Sequence, residues 1–261
     1  MTGWHGGAFG DRARCVLAPN PGPMTLDGTN TWVLREPGAQ RSVVVDPGPL
    51  QDAHLAAVLR AAGDVAVVLL THGHLDHSEG AVRLAERARC GVRALDPAYR
   101  LGSEGLADGD VVEVDGLEVR VVATPGHTAD SLSFLVPAER AVLTGDTVLG
   151  RGTTVVAHPD GRLGAYLGSL ARLHRLSEAD NADQIWPGHG PVIKDALAAL
   201  DRYLTHRAQR LQEVEAAVTA GASTAREVVE RVYSDVDPVL WPAAEQSVRA
   251  QLDYLAHPSH C

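Results

Sequence analysis

The sequence predicts a layered α/β fold followed by a small helical C-terminal domain. Up to about Pro191, short apolar runs that end at small or polar residues are interspersed with amphipathic helical stretches. After Pro191 the pattern is helical only. With 261 residues, of which 45% are hydrophobic, the chain can bury one sizeable core and a small appended domain. We therefore predict a first domain over 1–194 and a helical, winged-helix-like domain over 195–261.

The elements of the first domain follow from these patterns. The first ~20 residues are rich in glycine and lack periodicity, so we expect a loose segment with ordered structure beginning near Cys15. Strands are predicted at 32–34, 43–45, 65–70, 111–114, 119–123, 133–136 and 141–143. Helices are predicted at 52–62, 78–88 and 163–176. Because strands and helices do not alternate strictly, sheets packed inside helices fit better than a parallel barrel.

The C-terminal region predicts three helices. Leucine and valine recur at a spacing of three and four over 195–219, which indicates one long amphipathic helix. Thr224 can cap a second helix while Glu227 completes a capping box. A third helix, 243–256, follows Pro242, and wing strands are not apparent.

Charge and composition weigh against a broad nucleic-acid-binding surface, a membrane protein and a disulfide-bonded protein. The formal net charge is -10 and the arginines are scattered, which weighs against a broad nucleic-acid-binding surface but not against one local arginine patch. No apolar run approaches the ~20 residues that span a bilayer, and the first residues lack the order of a signal peptide. The three cysteines are odd in number and far apart, so we expect reduced thiols. We predict a cytoplasmic protein with no membrane partner.

A cluster of metal-binding side chains follows the predicted strand 65–70. His72, His74, Asp76 and His77 lie within six residues of one another, where a loop held by a strand can fold them around one point. Imidazole and carboxylate without thiolate suit zinc, and also iron or manganese. The alternative is an incidental polar turn. His127, Asp146 and His189, each at a predicted strand end beside glycine, argue against that alternative.

This ordered set resembles that of the metallo-β-lactamase superfamily. The resemblance implies a four-layer αβ/βα sandwich with two Zn²⁺ ions, or iron or manganese, at one edge of the sheets. It implies that one metal is held by His72, His74 and His127, the other by Asp76, His77 and His189, with Asp146 bridging them. Asp46 matches a strand-end aspartate that orients a ligand histidine; the alternative is a simple turn residue.

Further motifs resemble the lactamase-β-like protein 2 group. They are Asn20-Pro21-Gly22 and the segments 25–32, 125–130, 187–191 and 203–207. The resemblance implies a winged-helix-like C-terminal domain and the single-strand-specific endoribonuclease activity of the group's animal representative. An aspartate at position 146 and the lack of an export signal make defence against β-lactams a weak candidate.

The predicted chemistry is hydrolysis by a metal-bridging hydroxide, with Asp76 as the catalytic residue that orients it. Tyr203, His206 and Arg207 share one side of the long helix and could hold a phosphate or carboxylate of the substrate; the alternative is a solvated helix face.

Three functions remain open from the sequence. Cleavage of single-stranded RNA comes narrowly first, hydrolysis of a small ester, thioester, lactone or lactam second. The third is a regulatory nucleic-acid-binding protein with a vestigial metal site. Whether two copies pair as a homodimer is also left open.

Overall fold

The computed structural model describes residues 3–257, so Cys261 and the outer ends of both predicted domains lie outside the described residues. Two sheets form its centre. The first sheet has the order β1 (Gly7–Phe9), β2 (Ala13–Leu17), β3 (Asn30–Leu34), β4 (Arg41–Val45), β5 (Asp64–Leu69) and β6 (Gly91–Arg93). The second sheet contains β7 (Val111–Val114), β8 (Leu117–Ala123), β9 (Leu132–Val136), β10 (Ala141–Gly145) and β11 (Gln184–Pro187), in that order across the sheet.

Helices cover the outer faces of both sheets. The helices are α1 (Asp52–Ala62), α2 (Leu75–Ser78), α3 (Ala81–Ala88), α4 (Leu163–Ala179), α5 (Ala196–Thr219), α6 (Ala225–Val232) and α7 (Trp241–Ala256). The predicted helix 78–88 begins three residues later, as α3 at Ala81, because Ser78 ends the short α2 and the chain turns at Gly80 between the two helices.

The core between the sheets follows from the two-residue alternation of the strands. Trp32, Val43 and Leu69 point inward from the first sheet, and Phe134 and Trp186 point inward from the second. The rings of Trp32 and Trp186 stack with their centroids 5.1 Å apart. Burial on both faces explains why these strands appear in the sequence as continuous apolar runs.

Two further cores lie outside the sheets. Val33, Val44 and Val68 point the opposite way, against α1 and α3. Leu135 and Val142 of the second sheet pack against α4 and α5. The result is helix, sheet, sheet, helix, which confirms the predicted four-layer sandwich.

The predicted loose N-terminal segment is wrong for the described residues. β1 and β2 form an antiparallel hairpin that extends the first sheet beside β3. The indole Nε1 of Trp4 donates a hydrogen bond of 2.7 Å to the side chain of Asn30, and Phe9 contacts Trp32. The glycines thus stand in turns and at an edge strand, where aromatic anchors hold the chain.

The C-terminal helices have a small core of their own. Val214 and Ala217 at the end of α5 pack with Val228 of α6 and Val248 of α7. Thr224 caps α6 by accepting a hydrogen bond of 3.2 Å from the amide of Glu227. The Glu227 carboxylate accepts from the amide of Ser223, one residue before the predicted partner, at 2.7 Å. Between residues 195 and 257 there is no strand; the boundary between two domains at 194 stays a prediction.

Among residues 3–257, none of the helices has the length and apolar character needed to cross a membrane.

Candidate metal centre

The predicted ligands meet because the strands that carry them end at the same edge. β4 and β5 are parallel, so Asp46 and the loop that begins at Thr71 leave the first sheet together. β10 and β11 are parallel, and β8 runs in the same direction as β10 because both pair antiparallel with β9. The carboxyl ends of these three strands deliver His127, Asp146 and His189 to that edge.

One group of ligand atoms comprises three imidazole nitrogens. His72 Nε2 lies 3.0 Å from His74 Nδ1, and His127 Nε2 lies 3.1 Å from the same atom. A second group comprises Asp76, His77 and His189, with His189 Nε2 3.1 Å from an Asp76 carboxylate oxygen and 3.2 Å from His77 Nε2. Within each group all ligand atoms lie within 4.8 Å of one another.

Asp146 lies between the two groups. Its carboxylate is 3.4 Å from His189 Nε2, 3.5 Å from His77 Nε2 and 3.8 Å from His127 Nε2. This is the position that a ligand shared by two ions needs.

Hydrogen bonds on the outer side of the rings fix which nitrogen faces the centre. His127 Nδ1 lies 2.6 Å from the carbonyl of Val155, and His189 Nδ1 lies 3.1 Å from that of Gly28. A carbonyl only accepts, so each Nδ1 carries the hydrogen and, in the neutral ring, each Nε2 presents its lone pair inward. The histidines therefore hold the tautomer that binds a metal.

Asp46 organises the back of the first loop. Its carboxylate accepts the backbone amide of Thr71 at 2.8 Å, the Thr71 hydroxyl at 2.6 Å and His77 Nδ1 at 2.9 Å. Since the Thr71 hydroxyl donates to Asp46, it accepts from His72 Nδ1, 3.0 Å away. One carboxylate thus orients two ligand histidines, directly for His77 and through Thr71 for His72.

The donor set fits divalent cations. In the neutral rings, Nε2 of His72 and of His127 can only accept, and His74 Nδ1 offers them at most one N–H, so the three nitrogens do not satisfy one another by hydrogen bonds. One oxygen of Asp146 is buried with no hydrogen-bond partner among residues 3–257. Without thiolate, the set suits zinc, iron or manganese.

The carboxylates of the cluster also favour a positive charge near them. Burial alone would lower the pKa of His189, but Asp146 and Asp76 raise it to about 9. Burial and the neighbouring histidines lower the pKa of His72, and burial lowers that of His127 to about 4. The carboxylates thus favour a cation beside the second group, while His72 and His127 of the first group stay neutral and able to coordinate.

Close packing around the ligands leaves no room for side chains at two glycines. A Cβ on Gly188 would lie 2.5 Å from a carboxylate oxygen of Asp146 and 2.7 Å from His77 Cε1. Gly126, at a φ of +135°, would place a Cβ 2.3 Å from the backbone of Tyr166 in α4. Both glycines precede a ligand histidine, so the backbone approach itself positions the ring.

A cavity of about 320 Å³ opens beside the cluster, and we call it the chamber. His127 and Asp146 of the cluster are among the residues that line it. Its walls are mainly apolar and come from the loops at 23–26 and 149–155, from α5 and from the C-terminal helices. They include Met24, Leu26, Leu149, Val236, Leu240 and Ala244.

Of the three predicted substrate-binding residues, two line the chamber and one does not. His206 and Arg207 line the chamber. The Tyr203 hydroxyl instead accepts the backbone amide of Leu149 at 2.9 Å, which gives it a structural contact with the loop of the chamber wall. Binding of substrate by any of the three stays a prediction.

Several residues around the site escaped the sequence analysis. Asn30 donates hydrogen bonds to the carbonyls of Pro187 and Gly190 at 2.9 and 2.8 Å, which ties the first sheet to the loop of His189. The hydroxyl of Tyr166 donates to the carbonyl of Thr147 at 2.7 Å. The only signal for Asn30 was its place in the segment 25–32 that carried the resemblance. The Val155 and Gly28 carbonyls gave none, since every residue has a carbonyl.

Comparisons of the sequence with known families agree with this geometry. The family described as the Metallo-beta-lactamase superfamily matches residues 24–189, and the family described as Beta-lactamase associated winged helix domain matches residues 224–257.

Two curated relatives show the range of names among similar proteins. The Beta-lactamase-like protein 2 homolog of Caenorhabditis elegans is 33% identical, covering 94% of this chain and 84% of its own. The Atrochrysone carboxyl ACP thioesterase of Aspergillus fumigatus is 34% identical, covering 84% of this chain and 72% of its own.

Solved structures share the fold. A beta-lactamase domain protein from Burkholderia ambifaria has a TM-score of 0.82 at 22% identity, over 97% of this chain and 88% of that one. A metallo-beta-lactamase family protein from Thermus thermophilus has a TM-score of 0.79 at 22% identity, over 94% and 93%.

Proposed function

This chain belongs to the metallo-beta-lactamase superfamily, a family of metal-dependent hydrolases, and we propose that it hydrolyses small thioesters or esters whose acyl group occupies the chamber. The observation that carries the proposal is the chamber itself, a mainly apolar cavity whose lining includes His127 and Asp146 of the ligand cluster. Cavities of this size and lining bind small organic molecules with a few polar groups at one end. The resemblance to a relative named as a thioesterase supports the same class of substrate.

The ligand roles in this proposal follow the two groups of residues. His72, His74 and His127 would hold one ion, and Asp76, His77 and His189 the other, with Asp146 shared between them. The ions are two Zn²⁺, with iron or manganese as alternatives. When bound, such a pair would lower the pKa of a water molecule to ~7 and would polarise the scissile carbonyl.

Asp76 is the residue of this set best placed for proton transfer. Its side chain is 29% exposed, whereas that of Asp146 is 12% exposed. Burial would raise its pKa, but His77 and His189 lower it overall, so the carboxylate is ionised at neutral pH and can accept a proton. His127 and Asp146 also line the chamber, so an acyl group bound there would lie beside the ligand cluster.

Cleavage of single-stranded RNA is the second candidate. Arg151, Arg207 and Arg210 all line the chamber, and they form the local arginine patch that the sequence allowed. An enclosed apolar wall suits an acyl group better than a chain of phosphates, which requires a basic track. The well-formed ligand cluster disfavours the third candidate, a regulatory protein with a vestigial metal site.

A single experiment separates these candidates. Metal-loaded protein and its Asp76→Ala variant are incubated with thioesters of increasing acyl length, with lactones and with unstructured RNA. We expect thioester hydrolysis that falls by at least ~10³-fold in the variant at equal metal content.

The exposed Asp115 provides the control, since Asp115→Ala removes a carboxylate that pairs with Arg41 far from the cluster. Cleavage of RNA without thioester turnover would reject the proposal in favour of the second candidate. Full thioester activity in metal-loaded Asp76→Ala would reject the role of Asp76.

A further inference from the structure

Arg207 is a buried cation without an acidic partner. The residue is 4% exposed and lines the chamber, yet no carboxylate within residues 3–257 forms an ion pair with it. The other two arginines of the chamber differ. Arg151 pairs with Asp27, and Arg210 pairs with Glu213 at 2.9 Å.

The contacts of Arg207 do not balance its charge. Nη2 donates to the hydroxyl of Thr153 at 3.0 Å and to the carbonyl of Thr154, and the guanidinium lies 4.9 Å from the centre of the Tyr166 ring. Its Nε is buried and has no hydrogen-bond partner in the described part of the chain. A buried charge held by neutral groups alone is costly unless an opposite charge joins it.

Neighbouring groups in the chamber cannot supply that opposite charge. Asp146 belongs to the ligand cluster, where three histidines surround its carboxylate. His206 is a base whose pKa is lowered by burial and by Arg207 and Arg210, so it is neutral at pH 7. The missing negative charge must come from a molecule that enters the chamber.

We propose that the substrate carries a carboxylate at the end of its acyl group remote from the scissile carbonyl, and that Arg207 binds this carboxylate. The inference rests on the proposed thioester or ester hydrolysis and narrows its substrate to half-thioesters or half-esters of dicarboxylic acids. The cavity is lined by His127 and Asp146 of the cluster and also by Arg207, so one molecule bound in it can contact both the cluster and the guanidinium. Arginine suits this role because its charge is permanent and weakly hydrated.

Arg207 also supports a loop of the site, and the test must separate this structural role from binding of the substrate carboxylate. By binding Thr154 it holds the loop whose next carbonyl, that of Val155, accepts His127 Nδ1. Loss of that support would impair every substrate equally, whereas loss of a charge contact impairs only the substrate that carries the charge.

The test uses matched pairs of substrates. The N-acetylcysteamine thioesters of glutaric, adipic and suberic acid are compared with the same compounds whose free carboxyl is a methyl ester. For at least one chain length, we expect kcat/KM of wild type to be ~10-fold or more higher for the free acid, as for a hydrogen bond to a charged group. In Arg207→Gln this ratio falls to about one.

Arg202 on the same helix provides the matched control. It is exposed and outside the chamber, so Arg202→Gln removes the same charge and should keep the wild-type ratio. A wild-type ratio of one for all three lengths would overturn the inference, as would an equal loss on both members of each pair in Arg207→Gln.

A measurement of binding to the wild-type protein tests the inference without requiring turnover or a variant that folds. Titration of metal-loaded wild type with glutarate, adipate and suberate and with the monomethyl ester of each should show tighter binding of the dicarboxylate by ~10-fold for at least one chain length. Equal affinities at all three lengths would overturn the role of Arg207. Absence of any thioester hydrolysis alongside a clear difference in binding would instead reject the proposed reaction and keep the anion site.

Discussion

Asp46 shows how one side chain can control a metal centre that it does not itself enter. Its backbone has a φ of +50°, a conformation that Asp and Asn tolerate better than other residues with a Cβ. That conformation turns the carboxylate back toward Thr71 and His77, where it accepts three hydrogen bonds. The residue type therefore matters twice, for the backbone and for the charge.

We predict that Asp46→Asn weakens zinc binding by roughly 10–100-fold, because an amide cannot accept from all three donors and no longer favours the inward-facing lone pair of His77. Competition with a chromophoric chelator measures the affinity. Asp115→Asn is a matched control, since Asp115 has the same φ of +50° but lies on the surface. An unchanged affinity in Asp46→Asn would show that the loop is held by other contacts.

Residue types predicted most of the metal ligands, but not all of the residues that hold those ligands in place by hydrogen bonds. His72 to His77 could be recognised because three imidazoles and a carboxylate in one short loop are rare in any other context. Thr71 was less visible, although its hydroxyl connects Asp46 to His72. Single threonines in turns are common, and only the fold shows what each one contacts.

At the level of elements, the strands with both faces buried were the most predictable. β4 and β10 appear as apolar runs because each side of the sheet carries a core. β6 was not predicted as a strand, and β11 was indicated only as a short run before His189 without defined bounds, since three and four residues give too short a pattern. β1 was missed because its glycines suggested a loop, whereas pairing with β2 decides its structure.

Replacing two glycines by alanine should change the free energy of unfolding in opposite directions. One glycine lies within α4 and the other packs against it. Gly168 lies on the exposed side of the helix, where an added Cβ meets nothing within 4 Å, so Gly168→Ala should stabilise the metal-free protein by about 0.5–1 kcal/mol. Gly126→Ala should destabilise it by more than about 1 kcal/mol, since the new Cβ clashes with the backbone of Tyr166. Urea unfolding measures both, and equal effects would contradict the packing described.

Because α7 forms part of the chamber wall, a larger side chain on α7 should change which acyl lengths the protein accepts. Ala244 lines the cavity, so Ala244→Phe should fill part of it and lower kcat/KM for a long-chain thioester ~10-fold or more while affecting an acetyl thioester little. Ala208→Phe, on the exposed face of α5, is the control for the added ring. An equal loss on both substrates would place the acyl group elsewhere.

At the scale of the whole molecule, the metal centre is also a junction between the two sheets. His72, His74, Asp76 and His77 come from the first sheet, and His127, Asp146 and His189 from the second. The sandwich and the order of its elements were predictable because hydrophobic periodicity and motif order both depend on local sequence. The chamber was not, because α5, α7 and two distant loops form it together.

Because bound ions connect both sheets, their removal should lower the stability of the entire fold. A ligand that binds only the native state adds ~4 kcal/mol at a free concentration of about 1,000 times its Kd. For a chain of this size that corresponds to a rise in Tm of roughly 8–16 °C, which a chelator should abolish. Scanning calorimetry of metal-free and zinc-loaded protein gives the shift.

The same measurement shows whether the stabilisation depends on both sheets. His72→Asn removes a ligand from the first sheet and His189→Asn removes one from the second, so each should lose much of the zinc-induced shift. His174→Asn is the control, because His174 lies on α4 and pairs with Asp201 at 3.2 Å, away from the cluster. If only variants of the first sheet lost the shift, the ions would stabilise one loop and would not hold the two sheets together.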